Sequence, residues 1–199
     1  MAFSDFKTIS EVQEKFGITY AMNDFVGAEE TLKPSEHFLQ EFEFCMQHIN
    51  VFASETSRCE AVIFPILKEV YKGYTDHCAL WSGKSIAYDE TLRGTPDYLI
   101  ATQSELGMSV VGKPLIILVE AKKNDFEQGW GQCLAELIAA QKIKGDPDTP
   151  VCGIVTDGTL WQFGRLDGDA FIQNRTNFTL DNLPVLFGAV NSVFKAVQE

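Results

Sequence analysis

Apolar positions in the first seventy or so residues recur at helical spacing, and beyond them they gather into short runs of strand length. Phe3–Phe16 reads as a short amphipathic helix, followed by a looser stretch over Gly17–Lys33. Pro34 and Ser35 open a helix to about Phe52, with Phe38, Phe42, Cys45, Met46 and Ile49 as its apolar stripe. Thr56 and Ser57 start a second helix to about Lys72, stopped by Gly73 and kinked near Pro65. Ala79–Tyr88 then mixes apolar and polar residues as a half-exposed strand does. Thr95-Pro96-Asp97 leads into the run Tyr98–Ala101, and Pro114 into Leu115–Val119, a continuous apolar segment suited to a strand buried on both faces. Asp125 caps a helix to about Lys142, with Trp130, Leu134, Leu137 and Ile138 inward. Val151–Thr156 and Thr159–Leu166 flank Asp157-Gly158 as a hairpin, and Asn182–Val197 closes as a helix. The series predicts a layered α/β fold with a mixed sheet.

Composition adds bounds. A chain of 199 residues with 45% apolar content can bury a substantial core, and one domain is expected. No run of apolar residues is long enough for a membrane span, and Met1–Lys7 lacks the profile of a secretory signal, so a cytoplasmic protein with no membrane partner is expected. The five cysteines contain no CxxC pair, and they and the three histidines show no ligand spacing, which fits reduced thiols and packing or surface roles.

The net charge of −12 speaks against tight, non-specific binding to nucleic acid. Its distribution changes the picture. Residues 1–57 hold 3 basic and 10 acidic side chains, and residues 124–199 hold 5 and 10, whereas residues 58–123 are balanced at 8 and 8. The balanced segment also holds the candidate chemistry.

Glu120-Ala121-Lys122 ends the buried strand. With period-two alternation, Glu120 and Lys122 share a face and Ala121 points away. If Tyr98–Thr102 folds back antiparallel on Leu115–Val119, matching the apolar runs sets Asp97 opposite Glu120. Two carboxylates then converge beside an ammonium. Asp97, Glu120 and the Ala121 carbonyl are oxygen ligands of the kind Mg²⁺ prefers (or Mn²⁺), and Lys122 is placed to steady a water and offset negative charge. The bland alternative is a salt bridge at a strand end, with Pro96-Asp97 a mere turn.

Gly94-Thr95-Pro96-Asp97-Tyr98 followed by Val119-Glu120-Ala121-Lys122 resembles the PD-(D/E)xK nuclease superfamily. The resemblance spans roughly residues 60–166 as short motifs. It implies a restriction-endonuclease-like α/β/α sandwich with a central mixed sheet, here with extra N-terminal helices: an extension at 1–55, a core at 56–175 and a C-terminal helix at 176–199. It implies Asp97 and Glu120 as metal ligands, Lys122 as the catalytic lysine, Glu60 as an added acid from the preceding helix, and Gln132 as a supporting residue on the helix after the lysine. The hairpin Val155–Trp161 is similar to one that follows this core in type I restriction subunits. Glu136 stands where one subgroup has tyrosine after Gln132.

Competing roles stay open for several of these residues. Ser57-x-x-Glu60 is also a capping box, in which Glu60 would bond back to the Ser57 amide. Gln128, Gln132 and Glu136 share a helix face of a kind usually solvated. Lys72, Lys84, Arg93 and Lys123 could meet phosphate or simply be surface charges, and Trp81, Trp130 and Trp161 read as core. The function expected is a Mg²⁺-dependent nuclease acting on DNA, with a homodimer or a further subunit supplying target recognition; the alternative is a non-catalytic module that binds nucleic acid or protein.

Overall fold

A computed structural model describes residues 2–122, 125–145 and 149–195. Its centre is a mixed sheet whose strands run in the order β1 (Thr19–Met22), β9 (Ala170–Gln173), β8 (Leu160–Asp167), β7 (Val151–Thr156), β6 (Leu115–Ala121), β5 (Tyr98–Thr102) and β2 (Cys78–Ser82), with β10 (Phe178–Thr179) also paired to β8. The β6–β7 and β1–β9 pairs are parallel; the others are antiparallel. Two short strands, β3 (Ile86–Ala87) and β4 (Arg93–Gly94), form a separate ribbon.

Six helices flank the sheet among the described residues. One apolar core joins the sheet face carrying Tyr98, Ile100, Ile117, Val119 and Ala121 to α2 (Glu36–His48), α4 (Phe64–Tyr71) and α6 (Leu183–Lys195). The other joins the face carrying Leu99, Ala101 and Leu118 to α1 (Ile9–Phe16), α5 (Phe126–Lys144) and the 3-10 turn Phe3–Asp5. Alternation along β5 and β6 therefore divides the two cores, and puts Glu120 on the α5 side with Leu118.

The helix ends follow from side-chain chemistry. Thr8, Ser35 and Asp125 accept from the backbone N–H groups of Glu11, Phe38 and Gln128 at 3.2, 3.2 and 3.0 Å. Gly17 and Gly145 end α1 and α5 at φ 70° and 75°, a left-handed conformation that glycine adopts without strain.

Several boundaries differ from expectation. The first helix is a 3-10 turn plus α1, because Thr8 caps at residue 8. The looser stretch after it contains β1, an edge strand exposed throughout, whose sequence shows no alternation. The second long helix begins at Glu55, not at Thr56 or Ser57: Ser54 caps it by accepting the Ser57 N–H at 3.0 Å. It comprises α3 (Glu55–Arg58), a π-helical segment Cys59–Ile63 and α4. The widened turn comes just before Pro65, which then lies in the first turn of α4, where its missing N–H is harmless. α5 is also buried more fully than one inward stripe implies, from Gly129 to Ala140, because it lies between the sheet and the N-terminal segment. Lys123 lies outside the described residues.

Candidate metal centre

Strand register brings the three central residues together. Tyr98 pairs with Val119 and Leu99 with Leu118, so Asp97 stands opposite Glu120, as expected from the matched apolar runs. Asp97 Oδ2 accepts the Ala121 N–H at 2.7 Å, which fastens the start of β5 to the end of β6. The Lys122 Nζ lies 3.2 Å from Glu120 Oε2. On its other side, β6 is extended by the Lys122 N–H, which donates to the Thr156 carbonyl at 2.9 Å.

Below this centre the structure adds two residues from α5. Glu136 is fully buried and Gln132 is 8% exposed; the Gln132 Nε2 donates to Glu136 Oε1 at 3.4 Å. The face that sequence reading left as commonly solvated is turned into the protein at these two positions. Gln128 is not: it stands half-buried at the helix start, beside Asp125 and Lys7. Glu136 Oε2 and both oxygens of Glu120 meet no amide or hydroxyl donor among the described groups; the two carboxyls share a proton between them, and Glu120 is only 1% exposed. The Lys122 contact is an ion pair without hydrogen-bond alignment.

The electrostatics follow from this crowding. Burial pushes Glu120 up to about 7, with Asp97 adding to the shift while Glu136 and Lys122 oppose it. Burial raises Glu136 well above the usual carboxylate range, and the neighbouring Glu120 raises it further. Asp97 is raised by burial and by Glu55, against the opposing Ala121 N–H and Lys122. For Lys122, burial favours the neutral amine, but Glu120, Asp97 and Glu55 outweigh it and hold the ammonium. The site crowds three carboxyl groups beside one ammonium, and burial with this crowding favours their protonated forms.

Of Glu55 and Glu60 on the preceding helix, Glu55 is the one felt at the centre. It acts on both Asp97 and Lys122, whereas Glu60 is exposed on the π-helical segment and acts on Cys59 and Tyr98. The capping-box role for Glu60 is also absent, since the Ser57 N–H goes to Ser54. The signal for Glu55 was in the sequence: Ser54-Glu55 is itself a cap followed by a first-turn acid, but Thr56-Ser57 offered a competing start.

Among the described residues, no three His, Cys, Asp or Glu side chains are grouped to hold a metal. The donor set available to a hard cation is therefore two carboxylates, Asp97 and Glu120, with the Ala121 carbonyl and solvent. Its fit to such an ion rests on the buried Glu120 carboxyl, which meets no amide or hydroxyl donor: buried in this way it needs a proton, here shared with Glu136, or a cation.

The other candidates go elsewhere. Lys72 pairs with Glu69, Lys84 lies over the Trp81 ring, and Arg93 is exposed in β4. Trp130 and Trp161 are buried and Trp81 half-buried, the three histidines are exposed, and all five cysteines are free thiols. No helix among the described residues is long and apolar enough to cross a membrane. No protein-family description and no curated protein matches the chain.

Proposed function

We propose that this chain is a divalent-metal-dependent nuclease of the PD-(D/E)xK type, with a restriction-endonuclease-like fold, hydrolysing phosphodiester bonds in DNA. The observation that carries the reading is the convergence at the paired ends of β5 and β6. Asp97 is fixed to the Ala121 N–H, Glu120 is buried opposite it, and the Lys122 ammonium lies 3.2 Å from Glu120.

Asp97, Glu120 and the Ala121 carbonyl hold the ion. Bound Mg²⁺ or Mn²⁺ supplies Lewis acidity toward a phosphate oxygen and makes a water more acidic. Lys122, kept charged by three acids, orients the attacking water and balances charge that grows on the phosphate oxygens. Gln132 and Glu136 support Glu120 from beneath and keep bulk water from its inner side. Glu55 takes the place at the mouth that Glu60 was expected to fill.

The net charge of −12 favours a second reading, a non-catalytic module facing a protein or nucleic-acid partner. Incubating wild type and Lys122→Ala with plasmid, linear and single-stranded DNA in Mg²⁺ or Mn²⁺ separates the two. Wild type should cleave, and the variant should lose on the order of hundredfold to thousandfold while still binding Mn²⁺ in calorimetry. Asp97→Ala should lose the ion. Cleavage by neither protein would hand the case to the binding module; equal cleavage by both would trace the activity to a contaminant.

A further inference from the structure

Arg58 is a buried cation with too few partners. Its Nη2 donates to the Phe52 carbonyl at 3.2 Å, and the guanidinium lies 5.7 Å from the centre of the Phe52 ring. Nε and Nη1 have no acceptor, although the residue is only 8% exposed. The chain has twenty-eight acidic side chains, yet no ion pair to Arg58 is formed among the described residues. A buried charge left this way works against folding. An acceptor that arrives with a ligand would account for it.

Its position ties it to the candidate centre. Glu55, one helical turn earlier, acts on Asp97 and Lys122; Cys59, the next residue, feels Asp97. On the sheet side, a Cβ at Gly158 would meet the Arg58 Cβ at 3.7 Å. Gly158 follows two residues after Thr156, whose carbonyl accepts the Lys122 N–H. Arg58 thus flanks the strand end that carries the chemistry.

We propose that Arg58 grips a nucleic-acid backbone phosphate beside the scissile one, an inference that rests on the nuclease reading. A guanidinium presents a planar fork that matches two phosphate oxygens, and desolvation strengthens the pairing. The cover over the fork is the loop 49–54, exposed apart from Val51, and its Phe52 carbonyl occupies one of the donors a phosphate would take. A strand entering the site displaces that carbonyl and satisfies the orphaned N–H groups. An acidic protein then needs no broad basic surface, only one desolvated fork and the ion.

The test measures binding of a labelled short DNA duplex, and of its single strand, by fluorescence anisotropy in Ca²⁺ over a salt series. It compares wild type, Arg58→Met and Arg58→Lys, with melting temperatures for each. Arg58→Met should bind about tenfold more weakly, and the slope of log affinity against log salt should fall by roughly one. Arg58→Lys should restore the slope without restoring full affinity, because it keeps the charge but lacks the fork. The melting temperature of Arg58→Met should hold or rise, since an unpaired buried charge has been removed. Unchanged affinity and slope in Arg58→Met overturn the proposal. So does a melting temperature lowered by several degrees, which would make Arg58 a structural residue. Failure of Arg58→Met to fold counts as the same structural outcome, and affinity of Arg58→Lys equal to wild type also overturns the proposal. Displacement by inorganic phosphate as readily as by unlabelled DNA would mean a free-anion pocket and remove the strand phosphate. Wild type that binds neither DNA form sinks the nuclease reading itself, a result distinct from a silent Arg58 variant.

Discussion

Glu120 occupies a position where a carboxylate is hard to keep charged, and the metal-free protein should show it. In the unfolded chain this group titrates near 4.5; in the fold it is pushed up to about 7. Between those values the native state holds more protons than the unfolded one, so stability falls as pH rises. Its contribution is complete below pH 4.5 and lost as pH passes through about 7. Glu136 is displaced in the same direction. Asp24 and Asp89 are displaced the other way, so the informative quantity is the difference between wild type and Glu120→Gln. Melting temperatures measured across this range without metal should decline with pH more steeply in wild type than in the variant. Parallel curves would mean that Glu120 is not held neutral by its surroundings. Added Mn²⁺ should reverse the trend for wild type alone, because the cation favours the ionised carboxylate.

Helix α5 is set against the sheet by a missing side chain. A Cβ at Gly129 would lie 2.7 Å from Val155 Cγ1 and 3.0 Å from Lys122 Cγ, so the helix rests on the stem of Lys122. Gly129→Ala gains about 1 kcal/mol of helix propensity and loses roughly 1–3 kcal/mol to overpacking, a net cost of about 0–2 kcal/mol that leaves the protein folded. The Lys122 stem, however, must give by a few tenths of an ångström, and the ammonium is expected to shift with it. DNA cleavage should fall more than about tenfold with Mn²⁺ affinity retained, as expected for a misplaced group; activity equal to wild type would show that the stem yields without moving its charge. How far the elements were legible follows from their patterns. The Asp97–Glu120 register was readable because β5 and β6 each carry an apolar run, and aligning Tyr98 with Val119 sets the flanking acids opposite each other; the register shift between Ile100 and Ala101 lies beyond that end. The inward turn of Gln132 and Glu136 was not, because α5 is enclosed on both sides and a helix buried all round has no contrasting face to read. β1 was hidden for the opposite reason: all four residues are exposed, and their partner strand lies some 150 residues away. The Ser54 cap was obscured by Thr56 and Ser57, which carry the same chemistry two and three residues later.

For the whole molecule, the proposed function has a consequence of charge: with a net charge of −12, a nuclease of this chain would need the ion to meet DNA as well as to cleave it. Chelation with EDTA should therefore abolish DNA binding in anisotropy along with cleavage; binding that survives chelation would place the contact on some basic surface away from Asp97 and Glu120. The sheet's outermost pairing, β1 with β9, has a different consequence. The chain reaches β1 from the α5 side, where Phe3, Phe6, Val12 and Ile18 are buried, and leaves it toward α6, where Val26, Phe38 and Val51 are buried. Asn174 fastens the crossing by accepting the Phe25 and Val26 N–H groups at 2.8 and 2.9 Å. The opening quarter of the chain is thus a clasp closed over the rim, and it seals two greasy interiors at once. Trimming it away to obtain a smaller protein should yield an aggregating remnant rather than a tidy kernel, and a protease that nicks the clasp should loosen both halves together.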